Sequence, residues 1–500
     1  MRFFNKTNSR RSRVRKSIGS RFNDISWLTS PDFIYSALIW VLFVLLSVVA
    51  LGYESIEQAS YGRLAAMTIV VVLICLAGAF HVSQYQKRLL RNRARAVGLV
   101  VLFILLLAAA KISVALTTQT FWATATAVAA SLVLTIAYSQ RFATAMILFY
   151  CILACLAVGR LASVNVLLTM IAASVPYCFF VKEIRTRMKL LEVSLVAAVT
   201  VFLMAAALEF LSSSGRSAGA LEVASSNAAI TLVVGVLTQG LLPILEKVFR
   251  IATSMTLLDY SDANQPLLKR LAMEAPGTYS HSLLIGSIAE AAAEAIGRNG
   301  LLCRVGSYYH DIGKINKPGY FVENQLGSVS WHKELSPAMS QLIIVGHVKD
   351  GVALAKEYGL PEVLRQFIEM HHGTTLVEYF YNEAVKQHEQ KDSADAAPPS
   401  EGEFRYPGPR PRTKEAAIVM LADTVESAVR SLSEPNPTKI EAVVHNMAMK
   451  RLQDGQFDEC DLSLRELSQI EAALSKSLAA HHHGRIAYPK SPEVPPEQNQ

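Results

Sequence analysis

The chain has 500 residues, 51% of them hydrophobic and 18% charged, with a formal net charge of +7 at pH 7. That length allows two or three domains, and six cysteines without a C-x-x-C pair exclude a disulfide-framed extracellular fold and a thiolate zinc site. The basic excess points to a membrane rather than a polynucleotide, because much of it flanks apolar runs.

Residues 1–30 form a basic segment carrying Arg2, Lys6, Arg10, Arg11, Arg13, Arg15, Lys16 and Arg21. The apolar stretch from Phe33 to Leu51 is long enough to span a bilayer and lacks a small-residue cleavage site, so it reads as an uncleaved anchor. Apolar runs centred near Val41, Val72, Leu106, Ala129, Ile152, Leu168, Ala198 and Val236 predict about eight membrane helices within 31–251. Each is near the roughly 20 residues that a bilayer needs. Lys87, Arg88, Arg91, Arg93 and Arg95 follow the second run, and Lys182, Arg185, Arg187 and Lys189 follow the sixth. The connections at 54–63 and 212–226 carry few basic residues. An even number of spans, with both termini in the cytoplasm and the chain in the inner membrane, satisfies this pattern. Lys111 and Glu209 fall toward the ends of spans, where long side chains reach the interface.

Residues 252–487 have ordinary charged, helix-rich sequence punctuated by glycine and proline. Helices are expected over Ser282–Ile296, Leu301–His310, Ser336–His347, Pro361–His371 and Lys414–Ser431. No alternating strand pattern appears, so this domain is expected to be all-α. Residues 387–403 include Lys391-Asp392-Ser393-Ala394-Asp395 and read as a mobile insertion, and 488–500 read as a tail.

Within this half, His310-Asp311 is accompanied by His281, His347, the pair His371-His372, and Asp423. Five imidazoles and two carboxylates suffice for two metal sites with Asp311 shared between them. Such donors suit Fe, Mn, Co, Ni or Zn, and two adjacent metals activate water for in-line displacement at phosphorus.

The surrounding phrases are as informative as the ligands. They run Ala275-Pro276-Gly277-Thr278-Tyr279-Ser280-His281-Ser282, Tyr309-His310-Asp311-Ile312-Gly313-Lys314 and Phe321-Val322-Glu323-Asn324-Gln325. His371-His372-Gly373-Thr374, Phe404-Arg405-Tyr406-Pro407-Gly408-Pro409, Leu421-Ala422-Asp423 and His483-Gly484-Arg485-Ile486 continue the series. From about Thr253 to Tyr488 the chain closely resembles the membrane-anchored HD-domain phosphodiesterases that degrade cyclic di-AMP. The resemblance implies a polytopic transmembrane helical bundle followed by a cytoplasmic all-helical HD domain that hydrolyses cyclic di-AMP to linear pApA. It implies two divalent transition-metal ions, Fe or Mn. His281, His310, Asp311 and Asp423 would hold one, and Asp311, His347, His371 and His372 the other.

Lys314 is expected to meet the reacting phosphate, and Tyr320, Asn324 and Arg405 to contact substrate, with Tyr309, Gln325 and Tyr406 as further candidates. For the tyrosines, core packing is an equal contender. The implied partners are the cyclic dinucleotide and the lipid bilayer, with a homo-oligomer or a membrane signalling partner left open. One departure is large: relatives carry an extracytoplasmic domain after the first span, where this chain offers only about Tyr53–Ala65. Two other readings stay open, an HD hydrolase of another nucleotide and a non-enzymatic nucleotide receptor. The cyclic di-GMP class usually has Gly-Tyr-Pro after its histidine pair; this chain has Gly373-Thr374-Thr375 there.

Overall fold

A computed structural model describes residues 31–57, 61–85, 93–159, 163–181, 186–212, 217–325, 331–390 and 398–482. The basic segment 1–30, residues 391–397 of the expected insertion, His483-Gly484-Arg485-Ile486 and the tail 488–500 lie outside the described residues. So do Lys87, Arg88, Arg91, Lys182 and Arg185 of the basic clusters. Among the described residues the elements are helices, and the sole bridge joins Leu376 to Arg405. The chain divides into two compact units, Met1–Thr253 and Ser254–Gln500.

The first unit contains α1 (Pro31–Glu57), α2 (Tyr61–Tyr85), α3 (Arg93–Thr117), α4 (Phe121–Ala137), α5 (Gln140–Ala157), α6 (Val164–Phe180), α7 (Arg187–Ser212) and α8 (Ser217–Phe249). Each of the eight expected apolar centres lies in one of these helices. Six are long and apolar enough to cross a membrane. The other two, α4 and α6, have 17 residues each, which is about 26 Å against a hydrocarbon core of about 30 Å. Their apolarity serves the interior of the bundle. Ala123, Ala125, Ala127 and Ala130 of α4 are buried, as are Met170, Ala173 and Tyr177 of α6. Small side chains let neighbouring helices approach closely without a hydrophobic drive from water. The hydroxyls on α4 are satisfied nearby: Ser131 and Thr135 donate to Val128 and Ser131 carbonyls, and Thr124 donates to Asn227 Oδ1 of α8 at 2.7 Å.

The second unit contains α9 (Ser254–Tyr260), α10 (Pro266–Glu274), α11 (Pro276–Ala295), α12 (Gly300–Tyr309), α13 (Pro337–Glu357), α14 (Glu362–Met370), α15 (Glu378–Gln390), α16 (Lys414–Arg430), α17 (Pro437–Gln453) and α18 (Leu464–His482). Ile285, Ile288, Ala289 and Ala292 form one stripe of α11, at the spacing of a single helix face. They share a core with Ile418, Leu421 and Val425 of α16 and Ile470 and Leu474 of α18.

Helix α11 starts six residues before the expected Ser282. Pro276 supplies a preset φ at its first position, but the preceding Ala275 cannot cap. Asn324 does so from a distant loop, its Oδ1 accepting from Thr278 N at 3.1 Å. The approach is so close that a Cβ on Gly277 would lie 1.9 Å from the Glu323 carbonyl oxygen. Helix α13 likewise runs past His347 to Glu357, so His347 is delivered from mid-helix.

Candidate metal centre

Five elements converge on the His-Asp pair. His281 comes from α11, His310 ends α12, His347 stands on α13, His371 ends α14 with His372 next to it, and Asp423 lies on α16. Asp311 opens a 3-10 turn, Ile312–Asn316, that is pressed onto α13. A Cβ on Gly313 would fall 1.8 Å from the His347 carbonyl oxygen, so only glycine admits this contact.

The seven residues form two donor groups: Asp311, His347, His371 and His372, and His281, His310 and Asp423. Asp311 divides its oxygens between them. Oδ1 lies 3.2 Å from His347 Nε2 and 3.5 Å from His371 Nε2, while Oδ2 lies 3.1 Å from His310 Nε2 and 3.9 Å from His281 Nε2. His281 Nε2 is 3.1 Å from Asp423 Oδ1, a contact that either a proton or a cation can fill.

The outer ring nitrogens decide which tautomers are present. His347 Nδ1 faces the Ile344 carbonyl, His371 Nδ1 faces Phe367 and Ile368, and His310 Nδ1 faces Ser307 at 2.6 Å. A carbonyl only accepts, so each Nδ1 carries the hydrogen and each Nε2 presents a lone pair inward. His281 Nδ1 instead lies at ion-pair distance, 2.7 Å, from Glu426 Oε2, a carboxylate behind the imidazole. His347 and His371 then aim two lone pairs at each other across 3.2 Å. His310 Nε2 and Asp311 Oδ1 are buried without a hydrogen-bond partner. Repelling lone pairs and orphaned buried acceptors are stable together around a cation, so the donor set fits a divalent metal.

Charge supports the same state. Burial would raise the Asp311 pKa, but His310 and Lys314 hold it well below the usual carboxylate range. Asp423 is likewise depressed, burial being outweighed by His281 and His310. Burial lowers His371 and His372, which keeps both rings neutral. For His281 burial also acts downward, yet Asp423 and Glu426 lift it to about 9, so without a cation this ring is protonated and a bound ion would replace that proton.

The expected substrate contacts are placed differently from one another. Lys314 Nζ sits 2.7 Å from Asp311 Oδ2 and 2.7 Å from Glu323 Oε1, so two carboxylates already meet its charge. Asn324 spends both ends of its amide on Thr278, as cap and as donor to Oγ1. Arg405 donates to the Thr374 carbonyl and Asp454, and reaches Glu401 at 3.3 Å, pinning its loop beside the His371-His372 turn. Tyr320 packs against Trp331 and His332. Tyr309 is buried, its hydroxyl donating to the Tyr260 carbonyl, and Gln325 donates to Gly319. Tyr406 stands at the cluster itself, its ring stacked on His372 at 4.3 Å. Glu426 and Glu323 were not among the expected site residues. Glu426 was within reach of the sequence, one turn beyond Asp423 on the same face of a helix.

Residues 61–253 match the family described as a 7TM receptor with intracellular HD hydrolase, and residues 278–428 match the HD domain. The chain belongs to the seven-transmembrane HD hydrolases. The first match holds seven described helices, α2 to α8, and leaves α1 outside. Two relatives named cyclic-di-AMP phosphodiesterase PgpH are similar across the second half. That of Bacillus subtilis is 46% identical over 256 residues, 51% of this chain and 35% of the relative. That of Listeria monocytogenes is 43% identical over 254 residues, 51% of this chain and 34% of the relative. The matched part is thus about a third of the relatives' length. The crystal structure of the L. monocytogenes PgpH HD domain is 44% identical and covers 44% of this chain and 100% of its own, with a TM-score of 0.41. The same domain in complex with cyclic-di-AMP gives the same identity and TM-score, with 99% of its own chain covered.

Proposed function

We propose that this family member is a metal-dependent phosphodiesterase that opens cyclic di-AMP to linear pApA at the cytoplasmic face of the inner membrane. The observation that carries the hydrolase reading is the pair of inward-facing donor groups with one oxygen of Asp311 turned to each. Adenine is taken from the two relatives named for cyclic di-AMP. Donors of nitrogen and oxygen without thiolate suit Fe, Mn, Co, Ni or Zn, and Fe or Mn is taken from the family resemblance.

When bound, two divalent ions supply Lewis-acid charge for the phosphoryl oxygens and an ionised water at neutral pH. The chain's own residues prepare that chemistry. Asp311 stays ionised because Lys314 and His310 lie against it. Lys314 acts in this arrangement by orienting Oδ2, its charge shared between Asp311 and Glu323. Backbone carbonyls fix His310, His347 and His371 with a lone pair inward, and Glu426 stands behind His281. Tyr406 covers His372 and shields that side of the cluster from water. Water adds to phosphorus as the bond to the 3′ oxygen breaks, leaving a 3′ hydroxyl and a 5′ phosphate.

The test is turnover by the full chain in detergent, with Mn or Fe, across cyclic di-AMP, cyclic di-GMP, guanosine tetraphosphate and nucleoside triphosphates. Cyclic di-AMP should give the highest kcat/KM and pApA as product. Faster cleavage of cyclic di-GMP would reject adenine, and metal-loaded protein inert toward every nucleotide would favour a receptor. A reporter fused after Gln500 should be active only as a cytoplasmic one; an extracytoplasmic signal would reject the compartment.

A further inference from the structure

The cluster's acids and imidazoles are engaged with one another, and the charge of Lys314 is met by Asp311 and Glu323. A second cation nearby is differently placed. Arg451, on α17, is half-buried, and its guanidinium donates only to Thr424 Oγ1, at 3.4 Å from Nε and 3.2 Å from Nη2. Among the described residues no carboxylate lies at ion-pair distance from it.

Asp423, Glu378 and Asp454 are the acids that act on it through space, and each is committed elsewhere. Asp423 faces His281 at 3.1 Å, Glu378 takes Lys450 at 2.7 Å, and Asp454 takes Arg405 at 3.0 Å. Burial pulls Arg451 below the ordinary guanidinium value even though all three carboxylates oppose it. A half-buried cation in that position is under-compensated, and such a charge is held stably only with an anionic partner.

Tyr406 ties this cation to the metal cluster. Its ring lies on His372, and its phenol feels the charges of Lys314, Asp311, Asp423 and Arg451 together. Thr424, the hydrogen-bond partner of Arg451, follows Asp423 directly in sequence. Arg451 therefore stands beside the cluster rather than within it.

We infer that Arg451, hydrogen-bonded to Thr424 next to the ligand Asp423, binds the second, uncleaved phosphate of the cyclic dinucleotide. A cyclic dinucleotide carries two identical phosphodiesters across one ring. When one lies at the metals, the other is a buried anion that needs a donor, and a guanidinium fork matches two phosphate oxygens at once. The assignment rests on the phosphodiesterase reading and names the residue that selects a substrate with two phosphates over a substrate with one.

The test compares wild type, Arg451→Gln and Arg451→Lys as full chains, on cyclic di-AMP and on bis(p-nitrophenyl) phosphate, which has a single phosphodiester. Arg451→Gln should raise KM for cyclic di-AMP by roughly tenfold to a hundredfold, the scale of one or two charge-assisted hydrogen bonds. Its kcat/KM loss on cyclic di-AMP should exceed that on the single diester by about tenfold, with metal content equal to wild type. Arg451→Lys keeps the charge without the fork and should show the same selective deficit at smaller size. Should Arg451→Gln lose metal or helical content, the lysine variant decides alone. Equal losses on both substrates, or none, would overturn the assignment while leaving the phosphodiesterase reading standing. A wild type that cleaves only the single diester would overturn the assignment and the cyclic-dinucleotide substrate, and one that cleaves neither would sink the phosphodiesterase reading as well.

Discussion

In the membrane unit, Ser131 and Thr135 return their hydroxyls to carbonyls of their own helix, and Thr124 meets Asn227 across one helix pair. In the HD unit, His310 Nε2 and Asp311 Oδ1 are buried with no hydrogen-bond partner, beside His347 and His371 nitrogens that face each other. The apolar surfaces differ in the same sense. Leu38 is 61% and Leu105 63% exposed in the first unit, while Ile285 and Val425 are fully buried in the second. Hydrocarbon solvates leucine but not a peptide group or hydroxyl, which favours local closure of polar atoms, although Ser47 Oγ and Trp122 Nε1 of this unit are buried singly without a hydrogen-bond partner. Water permits the opposite arrangement, in which a sealed core surrounds polar atoms left unpaired for a ligand. Unpaired buried polar atoms occur in both units, and their convergence on one point is what marks functional polarity in the HD unit.

The sharpest break of that contrast is Asp311→Ala. It removes the oxygens facing both donor groups and should abolish metal binding while cutting turnover by more than about a hundredfold, since a metal contributes several kcal/mol to the barrier. Elemental analysis and kinetics on one preparation check it, with His388→Ala on α15 as a nearly silent control. Undiminished turnover would sink the shared-ligand mechanism. Next comes Glu426→Gln, which weakens the anchor behind His281 without touching the donor atoms. Metal affinity should fall by roughly 10–100-fold, the usual cost of losing a partner behind a ligand histidine. Competition with a chelator measures the shift, and unchanged affinity would show that Glu426 only fills space. The smallest effect belongs to the membrane unit. Asn227→Leu removes the bond from Thr124, and melting in detergent should reveal a loss of about 0.6–2 kcal/mol. A loss several times larger would mean that this pair carries more than local closure.

Much of the architecture was readable along the chain. All eight hydropathic centres lie in helices because twenty-odd apolar residues in a row have few other stable states. The periodic helices of the HD unit were equally plain, although α11 begins at Pro276 because Asn324 caps it from another segment. The same distance explains why the contacts of Asn324 and Arg405 within the fold were not legible. Both are polar residues in distinctive phrases, and both direct their side chains into loop-fixing contacts that no local pattern displays. Lys314 was expected to meet the reacting phosphate, and only the fold shows that Glu323, brought back by three consecutive 3-10 turns, lies against its ammonium.

The sequence by itself determined the material of each half and the identity of the donor atoms, because hydropathy, helical period and ligand chemistry are properties of residues taken in order. It named His281, His310, Asp311, His347, His371, His372 and Asp423 without saying how far apart they stand. Tertiary structure alone decided which oxygen of Asp311 faces which group, the inward tautomers and the placing of Arg451 against Thr424. Those features depend on distances between helices far apart in the chain, and such distances are fixed only when the core stripes of α11, α16 and α18 pack together.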